Sequence, residues 1–133
     1  MRTDGDGVNG LGVDDMPAGV RRLFRDAVLH LAMDAEDQIA WLEEDRGHPD
    51  ELALDLDAIL DPAAPYLPAA ALRPLRDLDA LMDAISGAGH AELWTDAALW
   101  TAPEWRRARA LAREALDALR WPWSTSPPRD ATS

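Results

Sequence analysis

Apolar residues recur at helical spacing along the first part of the chain. After residue 17 they share one arc of a helix: Val20, Phe24, Ala27, Val28, Leu31, Ala35, Ile39 and Leu42. A stripe with this period is typical of an amphipathic helix that buries one face. The helix either runs unbroken to Glu44 or breaks near Asp34, which forms a capping-box-like pair with Asp37. A Gly-His-Pro run at 47–49 ends it.

The segment 51–60 allows two interpretations. On a helix, four apolar side chains would lie together: Leu52, Leu56, Ile59 and Leu60. As a strand, Leu52, Leu54 and Leu56 would alternate. We favour a helix with Asp50 as its N-cap, because Ala, Leu, Asp and Glu are poor strand formers and no second strand is available for pairing.

Two further amphipathic helices follow. Three prolines predict a loop at 61–68, and the next helix begins near Pro68 or Ala70, with Pro74 acceptable only in its first turn. Its apolar stripe is Leu72, Leu75, Leu78, Met82 and Ile85, and glycines at 87 and 89 end it. A short helix at 96–100 is capped by Thr95.

The last helix has the clearest start signal, because Thr101 and Glu104 form a capping box with proline in the first turn. Its apolar stripe is Trp105, Ala108, Leu111, Ala112, Ala115, Leu116 and Leu119, and Trp121-Pro122 stops it. Amphipathic segments joined by short loops, without credible strands, predict an all-α fold: a compact bundle of four to five amphipathic helices.

Composition indicates one domain. The chain has 133 residues, which favours a single helical domain at 17–121. The Gly- and Asp-rich residues 1–16 are predicted to be a flexible arm, and 122–133 a disordered tail. The chain has no cysteine, its start lacks the apolar core of a secretory signal, and no apolar run is long enough for a membrane span. We therefore expect a cytoplasmic protein.

The charge is unevenly distributed. The chain carries a formal net charge of −12, which argues against nucleic acid and anionic membrane surfaces as partners. Residues 34–61 hold eleven carboxylates and one arginine, whereas 104–120 hold five arginines and three acids. Such a domain either pairs the two regions internally or offers one of them to a partner.

The basic region forms a stripe on the last helix: Arg106, Arg109, Arg113 and Arg120. Like charges at this spacing destabilise a helix, so something anionic is expected against them. The favoured interpretation is intramolecular pairing with carboxylates of 34–61. An anionic ligand and simple solvation are the alternatives.

The first helix has an acidic edge that we select as the candidate partner surface: Asp26, His30, Asp34, Asp37, Trp41 and Glu44. A solvated face and a patch that attracts a basic protein are both compatible with it. We expect no metal and no cofactor, because the three histidines lie in different segments and the multi-helix Glu-x-x-His pattern of bundle metal sites is absent.

The chain has six tryptophans, compared with one Phe and one Tyr. Most would fill the core of an Ala-rich bundle. Trp121 and Trp123 are the candidates for exposed aromatics, since they follow the last helix. Exposed tryptophan beside arginine is typical of an interface or homodimer contact, and a Trp-lined ligand pocket is the alternative.

Four stretches resemble small helical proteins that are widespread in actinobacteria and have no assigned activity: 50–55 (DELALD), 91–99 (AELWTDAAL), 104–105 (EW) and 109–114 (RALARE). The resemblance implies a cytoplasmic all-α domain and transfers no catalytic residue.

No catalytic motif is present in the sequence, so we expect no enzyme. We expect a small acidic protein-binding module, of inhibitor or immunity type, that recognises a basic partner. The alternative is a small-ligand-binding bundle with a Trp-lined pocket and an arginine anchor.

Overall fold

The computed structural model describes residues 12–46 and 48–123. Every regular element in these residues is helical, which confirms the all-α prediction. The α-helices are α1 (Ala18–Ala32), α2 (Ala35–Trp41), α3 (Asp50–Ala63), α4 (Ala69–Ala84), α5 (Asp96–Thr101) and α6 (Pro103–Leu119). Shorter helical turns lie at Val13–Asp15, Leu42–Arg46, Ala64–Tyr66 and Ala88–Leu93. No helix in the described ranges has the length and apolar character needed to cross a membrane.

The four longer helices surround the core and correspond to the main segments expected from the sequence. Helix α1 packs against α3 and α6, and α4 packs against α6 and α3. The short helices α2 and α5 pack against each other. Large side chains buried from solvent come from five helices: Phe24, Leu31, Leu56, Leu75, Leu99 and Trp105. Burying each one fully contributes about 1.5–3 kcal/mol.

Residues 51–60 are helical throughout, so the strand alternative is wrong. Leu52 and Leu56 are buried, whereas Leu54 between them is 53% exposed. A strand would place all three side chains on the same face, while a helix turns the middle one away from the other two. This exposed side chain lies beside a groove described below.

Prolines interrupt the helices less than the sequence analysis predicts. Helix α3 continues through Pro62, and a further helical turn follows where a loop was expected, so that prediction is wrong. Pro74 lies beyond the first turn of α4, which begins at Ala69. In both cases the carbonyl left without its usual N–H partner, that of Ala58 or Ala70, belongs to a solvent-exposed residue. Water can hydrate the carbonyl of an exposed residue, which reduces the cost of the lost bond.

The break in the first helix occurs where it was considered possible, with α1 ending at Ala32 and α2 beginning at Ala35. Asp34 occupies the N-cap position, but its side chain makes no capping hydrogen bond. The capping-box-like role expected for Asp34 and Asp37 is therefore wrong. The predicted stop at 47–49 falls partly on residue 47, which lies outside the described residues.

Other caps also differ from expectation. Asp50 is the first residue of α3 and not its N-cap. Thr101 ends α5 and donates its hydroxyl to the carbonyl of Ala97 at 3.0 Å, so it does not cap α6. Thr95 behaves as predicted: its Oγ1 accepts the N–H of Ala98 at 3.1 Å.

The folded region begins before residue 17. The backbone N–H of Gly12 donates to Asp15 Oδ2 at 3.0 Å, and Met16 is only 3% exposed. Residues 12–16 thus belong to the packed structure and not to an arm. The remainder of the predicted arm and tail, 1–11 and 124–133, lies outside the described residues.

Candidate functional site

Three arginines of α6 bind the carboxyl-terminal ends of other helices. Each donates to a carbonyl in the last turn of a helix: Arg106 to Thr101 (3.2 Å), Arg109 to Leu99 (3.0 Å) and Arg113 to Ala32 (2.6 Å). Such carbonyls lack intrahelical partners and carry the negative end of the helix dipole, so they attract cations. The arginine stripe thus holds the ends of α1 and α5 against α6.

Carboxylates contribute less to this stripe than the sequence predicts. Arg113 Nη2 lies 2.8 Å from Asp34 Oδ1, which joins the stripe to the acidic region. Arg109 instead meets the neutral amide of Gln38. Arg120 lies apart, because it follows the end of α6 in a left-handed conformation with φ of 62°.

A buried hydrogen-bond network is centred on Gln38, which the sequence analysis did not single out. Its side chain is 0% exposed. Nε2 donates to the carbonyls of His30 (3.0 Å) and Leu31 (3.2 Å), and Oε1 accepts a hydrogen bond from Arg109 Nη1 (3.0 Å). One amide therefore connects α1, α2 and α6.

The end of α1 is fully capped as a result. An α-helix leaves its last four carbonyls without intrahelical partners. Here the partners are Met33 N–H for Leu29, the Gln38 amide for His30 and Leu31, and Arg113 for Ala32. The sequence contains a sign of this buried role for Gln38, because this polar residue lies on the apolar stripe of the first predicted helix, between Ala35 and Leu42.

Arg109 is the most deeply placed of the stripe arginines, at 9% exposure. Burial, and then repulsion from Arg113, lower the pKa of its guanidinium from the ordinary value, while Asp34 acts in the opposite sense. A buried charge is tolerated when hydrogen bonds replace its hydration. The carbonyl of Leu99 and the amide of Gln38 provide these bonds, which gives Arg109 a role in joining helices.

An open groove of about 620 Å³ lies beside these arginines, and we call it the α6 groove. Its lining comprises Asp34, Arg106, Arg109, Ala110, Arg113, Glu114, Asp117 and Trp123. Among these described residues, arginines and carboxylates are equal in number, so they have no formal net charge together. The guanidinium of Arg113 lies 4.3 Å from the centroid of the Trp123 ring, within cation–π range.

A second open groove of about 620 Å³ lies between α1 and α3, and we call it the acidic groove. Its lining comprises Leu23, Asp26, Ala27, His30, Trp41, Asp55, Ala58 and Ile59. The imidazole of His30 stacks on the indole of Trp41 with centroids 4.0 Å apart and planes 27° apart. The two carboxylates come from opposite sides of the groove, Asp26 from α1 and Asp55 from α3.

The predicted partner surface is divided between these grooves. Asp26, His30 and Trp41 come together in the acidic groove. Asp34 belongs to the α6 groove, and neither lining includes the half-buried Asp37 or the exposed Glu44. The α3 side of the acidic groove was missed, because the contact between α1 and α3 is not encoded in the periodicity of either helix.

Much of the charge of the acidic region remains available to a partner. Arginines reach Asp34 and, from Arg76 at 3.4 Å, Asp61. Three other carboxylates of this region, those of Glu36, Asp37 and Glu44, form no ion pair within the described part of the chain. The protein's own arginines therefore leave a negative face beside α2.

A third open groove, of about 320 Å³, lies beside the exposed Leu54, and Asp57, Asp79 and Asp83 are among its lining residues. Burial, and then the nearby Asp57 and Asp83 carboxylates, raise the pKa of Asp79 above its ordinary value. Arg76 lines the same groove and acts in the opposite sense on this pKa.

The two tryptophans selected as exposed candidates are both half-buried. Trp121 packs edge-on against Phe24 with ring centroids 5.9 Å apart, because the left-handed Arg120 turns the chain back towards the core. Trp123 lies beneath Arg113. Trp100 is more exposed, at 56%, and lines none of the three grooves.

In residues 12–46 and 48–123, no three His, Asp or Glu side chains are arranged to hold a metal ion. No family model, curated protein or solved structure matches the chain. The resemblance to small helical proteins of actinobacteria stays a prediction.

Proposed function

We propose that the protein is a non-enzymatic binding module that recognises a basic protein partner through the acidic groove. The observation that carries this proposal is the composition of the groove. Trp41, His30 and Ile59 provide an aromatic and apolar surface, and Asp26 and Asp55 flank it. A basic segment would find both apolar contact and charge compensation in one place.

The charge of the whole chain supports the same partner class. A formal net charge of −12 gives the protein a long-range field that attracts cations and accelerates their encounter. Near α2, the carboxylates of Glu36, Asp37 and Glu44, which form no ion pair within the described residues, extend the field around the groove. A compact bundle of four to five helices would serve as the rigid support, as expected of a cytoplasmic inhibitor or immunity-type protein.

Binding fits this groove better than catalysis does. The lining residues that the structure describes include no serine, threonine or cysteine that could act as a nucleophile. His30 is stacked on Trp41. A partner surface requires neither an activated nucleophile nor a general base, and the groove provides what such a surface needs.

The test is affinity capture from a lysate of the source cells at low and at high salt, with three forms of the full chain. The groove variant carries Asp26→Asn and Asp55→Asn. The matched control carries Asp77→Asn and Glu92→Gln, which change the net charge equally at exposed positions outside the three grooves. Circular dichroism establishes that all three are folded.

We expect the wild type and the control to recover the same basic protein at low salt and to lose it at high salt, because salt screens the attraction. The groove variant should recover much less. Equal recovery by all three forms, or no basic protein with any of them, would overturn the proposal.

A second candidate function is the binding of a small anion in the α6 groove, as in the ligand-binding alternative. The supporting observation is that Arg106, Arg109 and Arg113 line it together with Trp123. This candidate ranks second, because the arginines already bind helix ends and the groove contains as many carboxylates. Titration with inorganic phosphate while following the Trp123 indole N–H by NMR tests it, and an unchanged signal would exclude phosphate as a ligand.

A further inference from the structure

We propose that the third groove, which lies between α3 and α4, is a separate docking surface for a short amphipathic helix of a basic protein. We call it the α3–α4 groove. This inference goes beyond the proposed function, because the acidic groove lies between α1 and α3 and uses another face of α3. It follows from three features of the α3–α4 groove: the divergence of the two helices, an apolar base with an exposed leucine, and an excess of carboxylates among the described lining residues.

The groove exists because consecutive helices have different packing partners. Only the short turn at Ala64–Tyr66 and the two residues after it separate α3 from α4. Nevertheless, α3 packs chiefly against α1, and α4 packs chiefly against α6. Direct contact between α3 and α4 is sparse, and an open volume of about 320 Å³ remains between them. A further helix laid along this volume would contact both of them.

The base of the groove is apolar and its walls are low. Met82 lines the groove and is only 4% exposed, so it lies at the base. Ala53 and Ala80 contribute small side chains from the two helices, which lets another backbone approach closely. Leu54 lines the groove and is 53% exposed, so an apolar side chain placed against it would remove hydrophobic surface from water.

The charge of the groove favours a cationic occupant. Arg76 lies 3.4 Å from Asp61, near the turn that connects the two helices. About one turn further from this connection, Asp57 of α3 and Asp79 of α4 bring two carboxylates close together. Burial, and then Asp57 and Asp83, raise the pKa of Asp79, and each of these effects exceeds the opposite effect of Arg76. The described lining thus has three carboxylates and one arginine, and a cation from a partner would relieve their repulsion.

An amphipathic helix fits these features together. The part of the lining beyond Arg76 on the α4 side spans residues 79–86, about two helical turns. A helix of the partner would place apolar side chains at spacings of three and four residues on Leu54 and Met82, with its cations beside the carboxylates. A second copy of this chain is a poor occupant, because its own net charge is also −12.

The experiment titrates the full chain at low salt with two fluorescently labelled peptides of about 14 residues, both built from the same leucines, alanines and lysines. In the amphipathic peptide the leucines share one helical face, and in the dispersed peptide they are spread around the helix. The peptides have equal charge, so a difference in affinity reports on the apolar face. We expect the amphipathic peptide to bind about four- to tenfold more tightly. Equal affinity would overturn the inference.

The leucine at the edge of the groove is tested by Leu54→Gln. This change should weaken binding of the amphipathic peptide about four- to tenfold, because the peptide would bury the exposed half of the side chain. Leu23→Gln is the matched control, since it makes the same change at a leucine that is 58% exposed and lines the acidic groove. It should leave the affinity unchanged, and circular dichroism establishes that both variants are folded.

A change of charge tests the carboxylates. Asp57→Asn with Asp83→Asn should weaken the binding of both peptides, because two of the three carboxylates that would face their lysines become neutral. The pair Asp77→Asn with Glu92→Gln changes the net charge equally at exposed positions outside the three grooves, so it should have a smaller effect. Equal losses from the two pairs would indicate long-range attraction alone and would refute the docking surface.

A measurement on the wild-type protein does not depend on the stability of any variant. In NMR titrations, the amphipathic peptide should shift the methyl signals of Leu54 and Met82 and leave those of Leu23 in place. Unchanged Leu54 and Met82 signals would contradict the inference. So would a wild-type dimer in sedimentation that Leu54→Gln converts to a monomer, because the groove would then take a second copy of the chain.

The outcomes separate this inference from the proposed function. If Leu23→Gln weakens the binding of the amphipathic peptide and Leu54→Gln does not, the peptide binds in the acidic groove, which refutes the surface inferred here and supports the proposed function. If Asp26→Asn with Asp55→Asn leaves the capture of a basic protein unchanged, the proposed function fails and this inference stands. The described linings of the two grooves share no residue, so each result concerns one groove.

Discussion

Replacing Gln38 by leucine tests whether the buried amide holds the helix junction together. Gln38 is 0% exposed and makes three hydrogen bonds, to the carbonyls of His30 and Leu31 and to Arg109. Leucine has a similar volume, so the substitution removes the polar contacts with little change in packing. The two carbonyls belong to the backbone and stay buried after the change.

The expected loss can be worked out from these contacts. A buried polar group left without a partner costs about 1–3 kcal/mol, and a hydrogen bond to a charged group contributes about 1.5–3 kcal/mol. Arg109 keeps the carbonyl of Leu99 as an acceptor, and the leucine regains some apolar burial. We therefore expect Gln38→Leu to lower the free energy of unfolding by about 3–5 kcal/mol, a large part of the roughly 5–15 kcal/mol available to a domain.

Urea denaturation followed by far-UV circular dichroism measures this loss as a lower midpoint at unchanged slope. The control is Ala40→Leu, which adds leucine at an exposed position of the same helix and should change stability by less than about 0.5 kcal/mol. A Gln38→Leu protein as stable as the control would refute the reasoning, because the carbonyls would then not need the amide.

Three further predictions concern single positions. Gly87→Ala should lower the free energy of unfolding by about 1–2 kcal/mol, because φ of +105° strains a residue with a Cβ although nothing lies within 4 Å of the added atom. Gly89→Ala is the control in the same denaturation assay, because that position is equally open and has no such φ. Arg120→Gly should raise the free energy of unfolding by about 0.5–1 kcal/mol, because φ of 62° strains a residue with a Cβ. A lower denaturation midpoint would instead mean that the arginine side chain stabilises the helix end. Asp79→Asn should stabilise the protein at neutral pH, because burial and neighbouring carboxylates raise the pKa of Asp79 above 3.8. The folded state therefore holds the carboxyl proton of Asp79 more tightly than the unfolded state does, so the wild-type protein loses stability as the pH rises and this proton is released. Thermal melting at several pH values checks this, and the gain in stability of the variant over wild type should disappear below about pH 4. A gain in stability of equal size at low pH would show that ionisation of Asp79 is not the cause.

The periodicity of the chain predicts the helices well, because the stripe that a helix buries is written in its own residues. Phe24, Leu31, Leu75 and Trp105 are buried as the spacing requires. The helix ends are predicted less well. Thr101 carries a capping signal yet serves the preceding helix, because neighbouring helices compete for the same short segment.

The candidate site was only partly predictable for a related reason. Asp26, His30 and Trp41 lie on one flank of a helical stripe, and the structure brings them together in one groove. Asp55, which completes the lining, lies on a different helix and has no special local pattern. Its place depends on how α3 packs on α1, and that arrangement is a property of the packed core.

The sequence by itself determined which segments are helical and which faces they bury, because a turn of helix depends on neighbours three and four positions away. Tertiary structure alone decided where the charges go. The arginines of α6 were expected to meet carboxylates, but three of them lie against carbonyls that lack intrahelical partners at the ends of α1 and α5. Backbone oxygens are the same in every residue, so no side-chain pattern reveals which cation will reach them until the helices have packed.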